Sequence, residues 1–388
     1  MPTQIDVLRA TGIRRTGTAP RFRWVRADGS APSAEELDRL DALKLPPAWK
    51  DVVASPSPAA ALQAVGRDAA GRWQYRYHPA AVKRREERKY RRLVHFAQAL
   101  PDLRRTVARD LARPGLGREK VLAAIVRVLS TCFLRPGSQA YAAENGSYGI
   151  ATLRNDHVEV RGDRVVFDFP GKSGKQQVRE VRDRRLARIV RELKARGRAR
   201  DEVFKFENGA GQLVDVRRRH INDYIKEAMG GPFSAKDFRT WAGTLVAASA
   251  LARAGLDPGA AKTARKRTVA AAVREAADLL GNTPAICRAS YVAPQILERY
   301  ERGDVVRRHL ADVAEIVGHR GFALHPAEAA LLDLLRRCQG GRGGGAGARP
   351  ALTRRALHES GARRRGAAPA RRRRPRRAVF SPRTRATA

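Results

Sequence analysis

The chain has 388 residues, 43% of them hydrophobic, so it is long enough to form two domains with apolar cores. Lysine and arginine number 78 against 39 acidic residues, which gives a formal net charge of +39. Such a charge attracts polyanions, and nucleic acid is therefore the expected partner. A membrane surface is the competing polyanion. Membrane binding is not expected, because no apolar run reaches the roughly 18 residues that span a bilayer and no basic helix has a clean apolar face.

The N-terminal segment MPTQIDVLRATGIRR lacks the charged start, apolar block and small-residue cleavage site of an export signal. We therefore expect a cytoplasmic, nucleoid-associated protein. The three cysteines, Cys132, Cys287 and Cys338, are odd in number and widely spaced, which favours reduced thiols over a disulfide framework or a zinc cluster. The eight histidines show no metal-binding spacing and no carboxylate cluster is present, so the expected chemistry needs no metal and no cofactor.

The first part of the chain has the pattern of a β-rich domain. Residues 21–31, RFRWVRADGSA, alternate and then turn at Asp28-Gly29, and residues 62–78, LQAVGRDAAGRWQYRYH, predict two strands joined by a glycine-containing loop. Between them, Ser33 and Glu36 have capping-box spacing and predict a short helix. We assign residues 1–85 to a β-rich N-terminal DNA-binding domain.

From about Lys83 the pattern becomes helical. The stretch KRREERKYRRLVHFAQAL has helical propensity, and apolar residues between Val121 and Phe133 mark a helix that contains Cys132 and runs into Arg135-Pro136-Gly137. One β interruption, HVEVRGDRVVFDFPGKSGKQQVREV, alternates on both sides of two tight turns and places Lys172 at a hairpin tip. Residues 86–310 are predicted to form a mainly α domain.

The C-terminal part divides into two further segments. Residues 294–337 have the pattern of further helices, so 311–337 is predicted as a helical extension. Residues 338–388 carry 15 arginines and one acidic residue, Glu359, with almost no large apolar side chains. This composition predicts a disordered basic tail.

Individually, the candidate reactive residues have ordinary structural interpretations. Arg135 after a helix could pair with the helix dipole, and Arg239 in KDFRTWAGT could be a surface charge. Tyr291 alone is more often a core or rim aromatic than a nucleophile. The GKSG turn is not a P-loop, since Val166 stands where that motif needs a glycine, and no nucleotide site is expected.

Their joint order indicates covalent phosphoryl transfer, because a tyrosine oxygen can attack a phosphodiester when fixed cations neutralise the transition state. The order Arg135, hairpin Lys172, the KxxR pair Lys236 and Arg239, and the LG-x9-Tyr segment ending at Tyr291 resembles the poxvirus-like bacterial type IB DNA topoisomerases. The resemblance runs from about Gly12 to about Gly303.

The resemblance implies an α+β fold of the type IB topoisomerase and tyrosine recombinase kind, which closes as a monomeric clamp around duplex DNA. It implies relaxation of positive and negative supercoils through a 3′-phosphotyrosyl intermediate, without ATP or metal. Tyr291 would be the nucleophile, Arg135 and Arg239 would hold the non-bridging oxygens, and Lys172 would be the general acid for the leaving 5′-oxygen. Lys236, one helical turn before Arg239, would line the same pocket.

Asn282 departs from the pattern of most eukaryotic and viral relatives, which have histidine nine residues before the nucleophile. Bacterial relatives often have asparagine, and an amide can still donate one neutral hydrogen bond to a phosphate oxygen. We include Asn282 among the catalytic candidates. The alternative is a helix-capping residue ahead of Thr283-Pro284.

The segment GRDAAGRWQYRYH resembles the sheet with which the viral enzymes touch the major groove beside the cleavage site. Gln74, Tyr75 and Tyr77 match those contact residues, and glutamine can hydrogen-bond adenine while tyrosine can stack or reach phosphate. The alternative is an aromatic core face, since Trp73, Tyr75 and Tyr77 share one side of the strand.

Two other functions fit parts of this sequence. A tyrosine site-specific recombinase shares the arginine, lysine and tyrosine pattern, but it normally has a helical N-terminal bundle and a histidine where this chain has Lys236. A non-catalytic DNA-compacting protein would explain the tail and the charge but not the ordered set of reactive residues.

Overall fold

The computed structural model describes residues 2–340 except Pro258 and Ala260, so residues 341–388 of the predicted tail lie outside the described residues. The N-terminal part is an antiparallel sheet flanked by two short helices. In chain order its elements are α1 (Gln4–Thr11), β1 (Ile13–Thr18), β2 (Arg21–Val25), α2 (Ala34–Ala42), β3 (Lys50–Ala54), β4 (Leu62–Arg67) and β5 (Trp73–Tyr77). The sheet order is β2-β1-β3-β4-β5, so β5 is an edge strand.

The predicted N-terminal strands are present, but two others were not predicted. Strands β2, β4 and β5 lie where alternation placed them, and α2 begins with the predicted box, in which Ser33 Oγ accepts from Glu36 N at 3.3 Å and Glu36 accepts from Ser33 N at 2.8 Å. The two strands that were not predicted are β1 and β3. In β1 only Ile13 is buried and the other side chains are half-buried or exposed, so the strand is held by pairing to β2 and β3 rather than by an apolar face.

The larger part is mainly helical and contains a three-stranded and a two-stranded antiparallel sheet. The strands are β6 (Val158–Arg161), β7 (Arg164–Pro170), β8 (Gln176–Arg182), β9 (Lys205–Glu207) and β10 (Leu213–Asp215). The helices are α3 (Pro79–Leu111), α4 (Arg118–Cys132), α5 (Gln139–Asn145), α6 (Arg184–Ala195), α7 (Arg218–Met229), α8 (Ala235–Ala254), α9 (Lys262–Leu280), α10 (Pro284–Ser290), α11 (Pro294–Glu301), α12 (Ala314–Gly318) and α13 (Pro326–Gly340).

Helix α3 is longer than the sequence predicted. It begins at Pro79, whose missing N–H costs nothing in the first turn. It also continues past Pro101, because the apolar face resumes with buried Leu103, Val107 and Leu111. The tertiary contacts of that face offset the hydrogen bond that an internal proline removes.

Among the described residues, the helical part has one large cluster of buried apolar side chains, and Tyr291 packs against it. Phe96 of α3 makes edge contacts with Phe233 and with Phe238, at ring-centroid distances of 5.7 and 5.1 Å, and lies 6.3 Å from Trp241. Phe238 and Trp241 flank Arg239 on α8. The packing of α3 against α8 therefore fixes the helix that carries this arginine.

The predicted α+β fold is confirmed, with an N-terminal antiparallel sheet and a larger helical part. The hairpin of β7 and β8 carries Lys172 at its tip, and Cys132 lies in α4, as predicted. The domain limits stay predictions. Helix α3 crosses the limit predicted between residues 85 and 86.

Candidate active site

Arg135 lies just beyond the end of α4, in a backbone held by a close chain crossing. The helix ends at Phe133 in the left-handed conformation, with φ 52°. Ile150 N then donates to Arg135 O at 2.9 Å. A Cβ atom on Gly149 would stand 2.6 Å from Arg135 O, so only glycine permits this crossing. Burial lowers the pKa of the Arg135 guanidinium.

Arg239 is buried, with 3% of its surface exposed, and it joins three elements. From α8 its guanidinium donates to Phe133 O at the end of α4 and to Leu280 O at the end of α9, the latter at 2.8 Å. Burial, and secondarily the charge of Arg135, lower the pKa of Arg239 to about 10, so it stays a cation at neutral pH. Its Nε is buried without a hydrogen-bond partner and remains available to a ligand.

Asn282 contacts Arg135 directly. Helix α9 ends at Gly281 in the left-handed conformation, with φ 60°, and the next residue turns its side chain to the Arg135 guanidinium, which donates to Asn282 Oδ1. The Asn282 Nδ2 group is buried and has no partner. The alternative interpretation of Asn282 as a helix cap is wrong. Thr283 caps α10, since its Oγ1 accepts from Ile286 N at 3.3 Å.

Tyr291 follows α10, and its ring lies against Arg239, with 5.0 Å between the ring centroid and Arg239 Cζ. Its backbone is tied to α8, because Thr244 Oγ1 donates to Tyr291 O at 3.2 Å. A Cβ atom on Gly243 would stand 2.8 Å from the same carbonyl, so glycine allows this approach. The structure thus brings Arg135, Arg239, Asn282 and Tyr291 into one half-buried cluster.

Lys172 is not part of that cluster. It lies on the exposed turn between β7 and β8, where Ser173 has φ 62°, and its ammonium has no hydrogen-bond or ion-pair partner among the described residues. The start of β8, directly after this turn, is nevertheless fixed beside Asn282. A Cβ atom on Gly281 would stand 2.6 Å from Gln177 Oε1, and Arg179 donates to Leu279 O at 3.0 Å. The turn that carries the lysine therefore adjoins a strand that is anchored next to the cluster.

Lys236 lies exposed in the first turn of α8, and a second lysine, which sequence reasoning missed, lies near it. Lys89 of α3 donates from Nζ to Ser290 O at 2.6 Å, directly before Tyr291, and to Tyr90 OH at 3.1 Å. Burial, and then the nearby charge of Lys236, lower the pKa of Lys89 to about 8.

The sequence could have indicated Lys89 through its spacing from apolar residues of α3. Leu93 and Phe96 follow it by four and seven residues, so all three share the buried face of α3. On the same helix, Arg92 donates to Asp237 at 2.5 Å, at the start of α8. Helix α3 therefore makes polar contacts with two of the segments that carry the cluster, the start of α8 and the residue before Tyr291.

The three DNA-contact candidates lie together on the edge strand β5. Tyr75, 45% exposed, stacks on Tyr77 at a centroid distance of 6.0 Å and an interplanar angle of 13°. Gln74 donates to Asp68 at 2.8 Å. The alternative of an aromatic core face holds only for Trp73, which packs against the buried Leu8, Val53 and Val65.

No described helix is long and apolar enough to cross a membrane. Within the same residues, no group of three histidine, cysteine, aspartate or glutamate side chains is placed to hold a metal ion. Cys132 and Cys287 are free and buried, and burial raises the pKa of each thiol to about 11.

Comparison with known proteins identifies the family. Residues 79–313 match the catalytic core of eukaryotic DNA topoisomerase I, and residues 21–68 match the N-terminal domain of bacterial DNA topoisomerase IB. DNA topoisomerase 1B of Acanthamoeba polyphaga mimivirus is 32% identical over 298 residues, which cover 75% of this chain and 88% of the viral protein. DNA topoisomerase I of Monkeypox virus and DNA topoisomerase 1B of Vaccinia virus (strain Copenhagen) are each 25% identical over 235 residues, covering 60% of this chain and 71% of each viral protein.

The chain belongs to the type IB DNA topoisomerase family. The match of its N-terminal residues to the bacterial IB domain favours this family over the tyrosine recombinases, as the β-rich start of the sequence predicted.

Proposed function

We propose that the chain relaxes positively and negatively supercoiled duplex DNA by transient cleavage of one strand, with Tyr291 as the nucleophile. One observation carries the proposal. Two buried donors without partners, Arg239 Nε and Asn282 Nδ2, belong to the cluster that contains the Tyr291 ring. Buried donors are rarely left unpaired, and a phosphate supplies the oxygens that would satisfy both.

The reaction is a pair of reversible ester exchanges. The Tyr291 oxygen loses its proton to solvent and attacks the phosphorus, a 3′-phosphotyrosyl bond forms, and the bond to the 5′-oxygen breaks. Religation is the reverse attack by the freed 5′-hydroxyl. The phosphotyrosyl ester conserves the energy of the backbone bond, so no ATP is consumed. While the ester persists, the free end of the duplex can rotate and release torsional stress of either sign.

The guanidinium groups stabilise the transition state. Arg135 and Arg239 would donate to the non-bridging oxygens, on which negative charge accumulates during the exchange. Asn282 adds a neutral donor through Nδ2, while its Oδ1 orients Arg135. These groups are held by the fold before DNA arrives, and such preorganised donors need little rearrangement in the transition state.

Lys172 would protonate the leaving 5′-oxygen. Its side chain is exposed on the hairpin turn, so the lysine would reach the scissile phosphate only when DNA is bound. Lys236 would lie along the DNA side of the same pocket, because it occupies the exposed face of the helix that carries Arg239.

The N-terminal sheet would contact the duplex beside the cleavage site through Gln74, Tyr75 and Tyr77. The stacked, partly exposed tyrosines offer phenol oxygens and ring faces to the DNA. Together with the helical part, the sheet would close as a monomeric clamp on DNA in the cytoplasm. We propose that the reaction requires neither a nucleotide nor a metal.

The decisive experiment mixes purified protein with supercoiled plasmid in EDTA without ATP. We expect a ladder of relaxed topoisomers from plasmids of either sign. Tyr291→Phe should abolish relaxation and the covalent adduct while duplex binding is retained. Strict dependence on magnesium would refute the mechanism. Recombinant products without relaxation would favour a recombinase, and binding without cleavage would favour a DNA-compacting protein.

A further inference from the structure

Arg179 of β8 lies at a strand position that faces the apolar core. Side chains of a strand alternate between its two faces, and the residues two before and two after it, Gln177 and Val181, are buried. Arg179 itself is half-buried on that face, and in the register of the sheet it stands opposite the fully buried Phe167. A charged side chain at such a position is costly unless its donors are satisfied, so the guanidinium needs acceptors within the protein.

The Arg179 guanidinium joins β8 to the end of α9. Its Nη2 donates to Leu279 O at 3.0 Å and to Gln177 Oε1 at 3.4 Å, while Nη1 donates to Val178 O at 2.8 Å. All three acceptors are neutral, and no carboxylate of the described residues forms an ion pair with it. Burial lowers the pKa of this guanidinium. Arg179 is therefore held by hydrogen bonds to neutral groups, one of which belongs to a different element.

The contact with Leu279 lies directly before the turn that carries Asn282. The last four carbonyl groups of a helix have no intrahelical donors. At the end of α9, two of them accept from the backbone of the following turn. The other two, Leu279 O and Leu280 O, accept from Arg179 of β8 at 3.0 Å and from Arg239 of α8 at 2.8 Å. Side chains from two elements thus fix consecutive carbonyls at this helix end.

Arg179 also contacts the turn through Gln177. Gly281 lies so close to the Gln177 amide that a Cβ atom there would stand 2.6 Å from Oε1. The next side chain is that of Asn282, whose Oδ1 accepts from Arg135 and whose Nδ2 is buried without a partner. The orientation of the Asn282 amide therefore depends on a turn that Arg179 holds through two contacts.

Arg179 shares one small cavity with Arg135 and Arg239, but its donors are used differently. The buried donors without partners in this group are Arg239 Nε and Asn282 Nδ2. Both terminal nitrogens of Arg179, in contrast, already donate to protein oxygens. Arg179 is therefore placed to hold neighbouring groups rather than to bind a phosphate itself.

We propose that Arg179 is a positioning residue for strand cleavage, which fixes the turn after α9 so that Asn282 Nδ2 faces the reacting phosphate. The inference rests on the proposed function for the role of Asn282. Because β8 also follows the turn that carries Lys172, the alternative is that Arg179 acts through that lysine. The experiment distinguishes the two routes.

The test is a double-mutant cycle in single-turnover cleavage, with enough full-length protein to saturate the duplex. Arg179→Met keeps an unbranched stem and removes the donors, and it is combined with Asn282→Ala. The control is Arg161→Met, which removes an exposed arginine from β6 of the same sheet. We expect Arg179→Met to bind duplex like the parent but to cleave about ten to a hundredfold more slowly, since small misplacements of catalytic groups cost up to about 10² in rate.

When Asn282 is already alanine, Arg179→Met should slow cleavage by no more than about threefold, because the two residues act through one contact. Losses that multiply in the double variant would overturn the proposal, as would a parental rate for Arg179→Met. A substrate with sulfur in place of the 5′-bridging oxygen leaves without protonation. If it restored the rate of Arg179→Met, the side chain would act through Lys172 instead.

Arg179→Lys separates the hydrogen bonds from the charge and serves if the methionine variant does not fold. It keeps the charge, but one ammonium cannot reproduce the fork that joins Leu279 O to Gln177, so cleavage should stay slow. A parental rate for Arg179→Lys would mean that charge alone matters and would overturn the proposal.

Hydrogen exchange of the protein without DNA gives a readout that does not depend on cleavage. The Asn282 N–H donates to Ala277 O at 2.9 Å. In either Arg179 variant this amide should exchange at least about tenfold faster than in the parent, while Arg161→Met leaves it unchanged. A parent that does not cleave would count against Tyr291 rather than against Arg179, and exchange then decides. Unchanged exchange at Asn282 would overturn the inference.

Discussion

The buried guanidinium cluster and the Lys172 hairpin hold their cations in opposite ways. Arg239 is enclosed by α4, α8 and α9 and donates to two backbone carbonyls. Lys172 stands on an exposed turn and has no partner among the described side chains. Yet both belong to the same proposed reaction, and the hairpin is anchored at Gln177 beside the cluster.

The proposed reaction makes different demands on the two regions. Charge builds on the non-bridging oxygens at a fixed place, so rigid donors in a half-buried pocket are effective there. A proton donor must follow the departing 5′-oxygen, and a lysine with a flexible stem on an exposed turn can do so. Variants of the first group should therefore alter stability and rate together, while variants of Lys172 should alter the rate alone.

The largest effect is expected for Arg239→Ala. An arginine that neutralises a transferring phosphoryl group is worth about 10³–10⁵ in rate, and we expect single-turnover cleavage to fall by that factor. The free energy of unfolding should also fall, because the carbonyls of Phe133 and Leu280 lose their donor, at about 1–3 kcal/mol for each unsatisfied group.

Arg239→Lys tests the same point if the alanine variant does not fold. It keeps the charge, but a single ammonium cannot reproduce the planar fork of donors, so rescue should be poor. Arg218→Ala, an exposed arginine on α7, is the control and should be neutral in both measurements. A folded Arg239 variant with the parental cleavage rate would remove this residue from the mechanism.

For Lys172→Ala we expect cleavage to slow by about 10²–10⁴, the usual contribution of a general acid. Thermal unfolding should not change, because the side chain is exposed and unpaired. A substrate with sulfur in place of the 5′-bridging oxygen needs no protonation to leave, so it should rescue this variant and not Arg135→Ala. Lys175→Ala, from the same turn, is the control. Equal rescue of the arginine variant would contradict the assignment.

The Lys172 hairpin and the buried cluster also differ in how far the sequence could predict them. The Lys172 hairpin was predicted in position and form, because alternation and turn glycines are local signals. Clusters built by tertiary contact leave no such signal. The order of Arg135, Arg239 and Tyr291 indicated the chemistry, but neither the hydrogen bond from Arg135 to Asn282 nor the unpaired Nδ2 could be predicted.

Strand β3 shows a further limit of sequence patterns. Its register with β4 shifts between Lys50 and Val53, and Asp51 has φ 49°. Because the bulge interrupts the alternation of buried and exposed side chains, the strand does not appear as a periodic pattern in the sequence.

Asn282 should matter less than the arginines, because it supplies one neutral donor. We expect Asn282→Ala to slow cleavage by about ten to a thousandfold. Asn282→Asp keeps an oxygen for Arg135 but loses the donor and adds a negative charge, so it should be at least as slow. Parental cleavage rates in both variants would remove Asn282 from the proposed catalytic residues.

Asn282→His sharpens the same test through pH. The imidazole donates more strongly when protonated, so cleavage by this variant should rise as the pH falls from about 7.5 to 5.5, whereas the parent should not respond. Single-turnover cleavage across that range measures the difference. A parent and variant with the same profile would contradict a hydrogen bond from this position to the reacting phosphate.

The smallest effect is expected for Lys89, whose ammonium donates to the Ser290 carbonyl directly before Tyr291. Lys89→Met keeps the apolar stem and removes the donor, and we expect cleavage to slow by about tenfold, the equivalent of ~1.4 kcal/mol. Lys89→Arg retains a cationic donor and should recover part of that loss. Lys83→Met, an exposed lysine earlier on α3, is the control.

The pH dependence of stability checks the same contact. Burial lowers the pKa of Lys89 from 10.5 to about 8, so between these values the unfolded chain binds more protons than the folded chain. The free energy of unfolding of the parent should therefore rise with pH relative to Lys89→Met across this window. Denaturant unfolding of the two proteins at pH 7.5 and 9.5 measures the difference. A constant difference would mean that Lys89 is not buried against Ser290 in solution, and the slower cleavage of the variant would then need another cause.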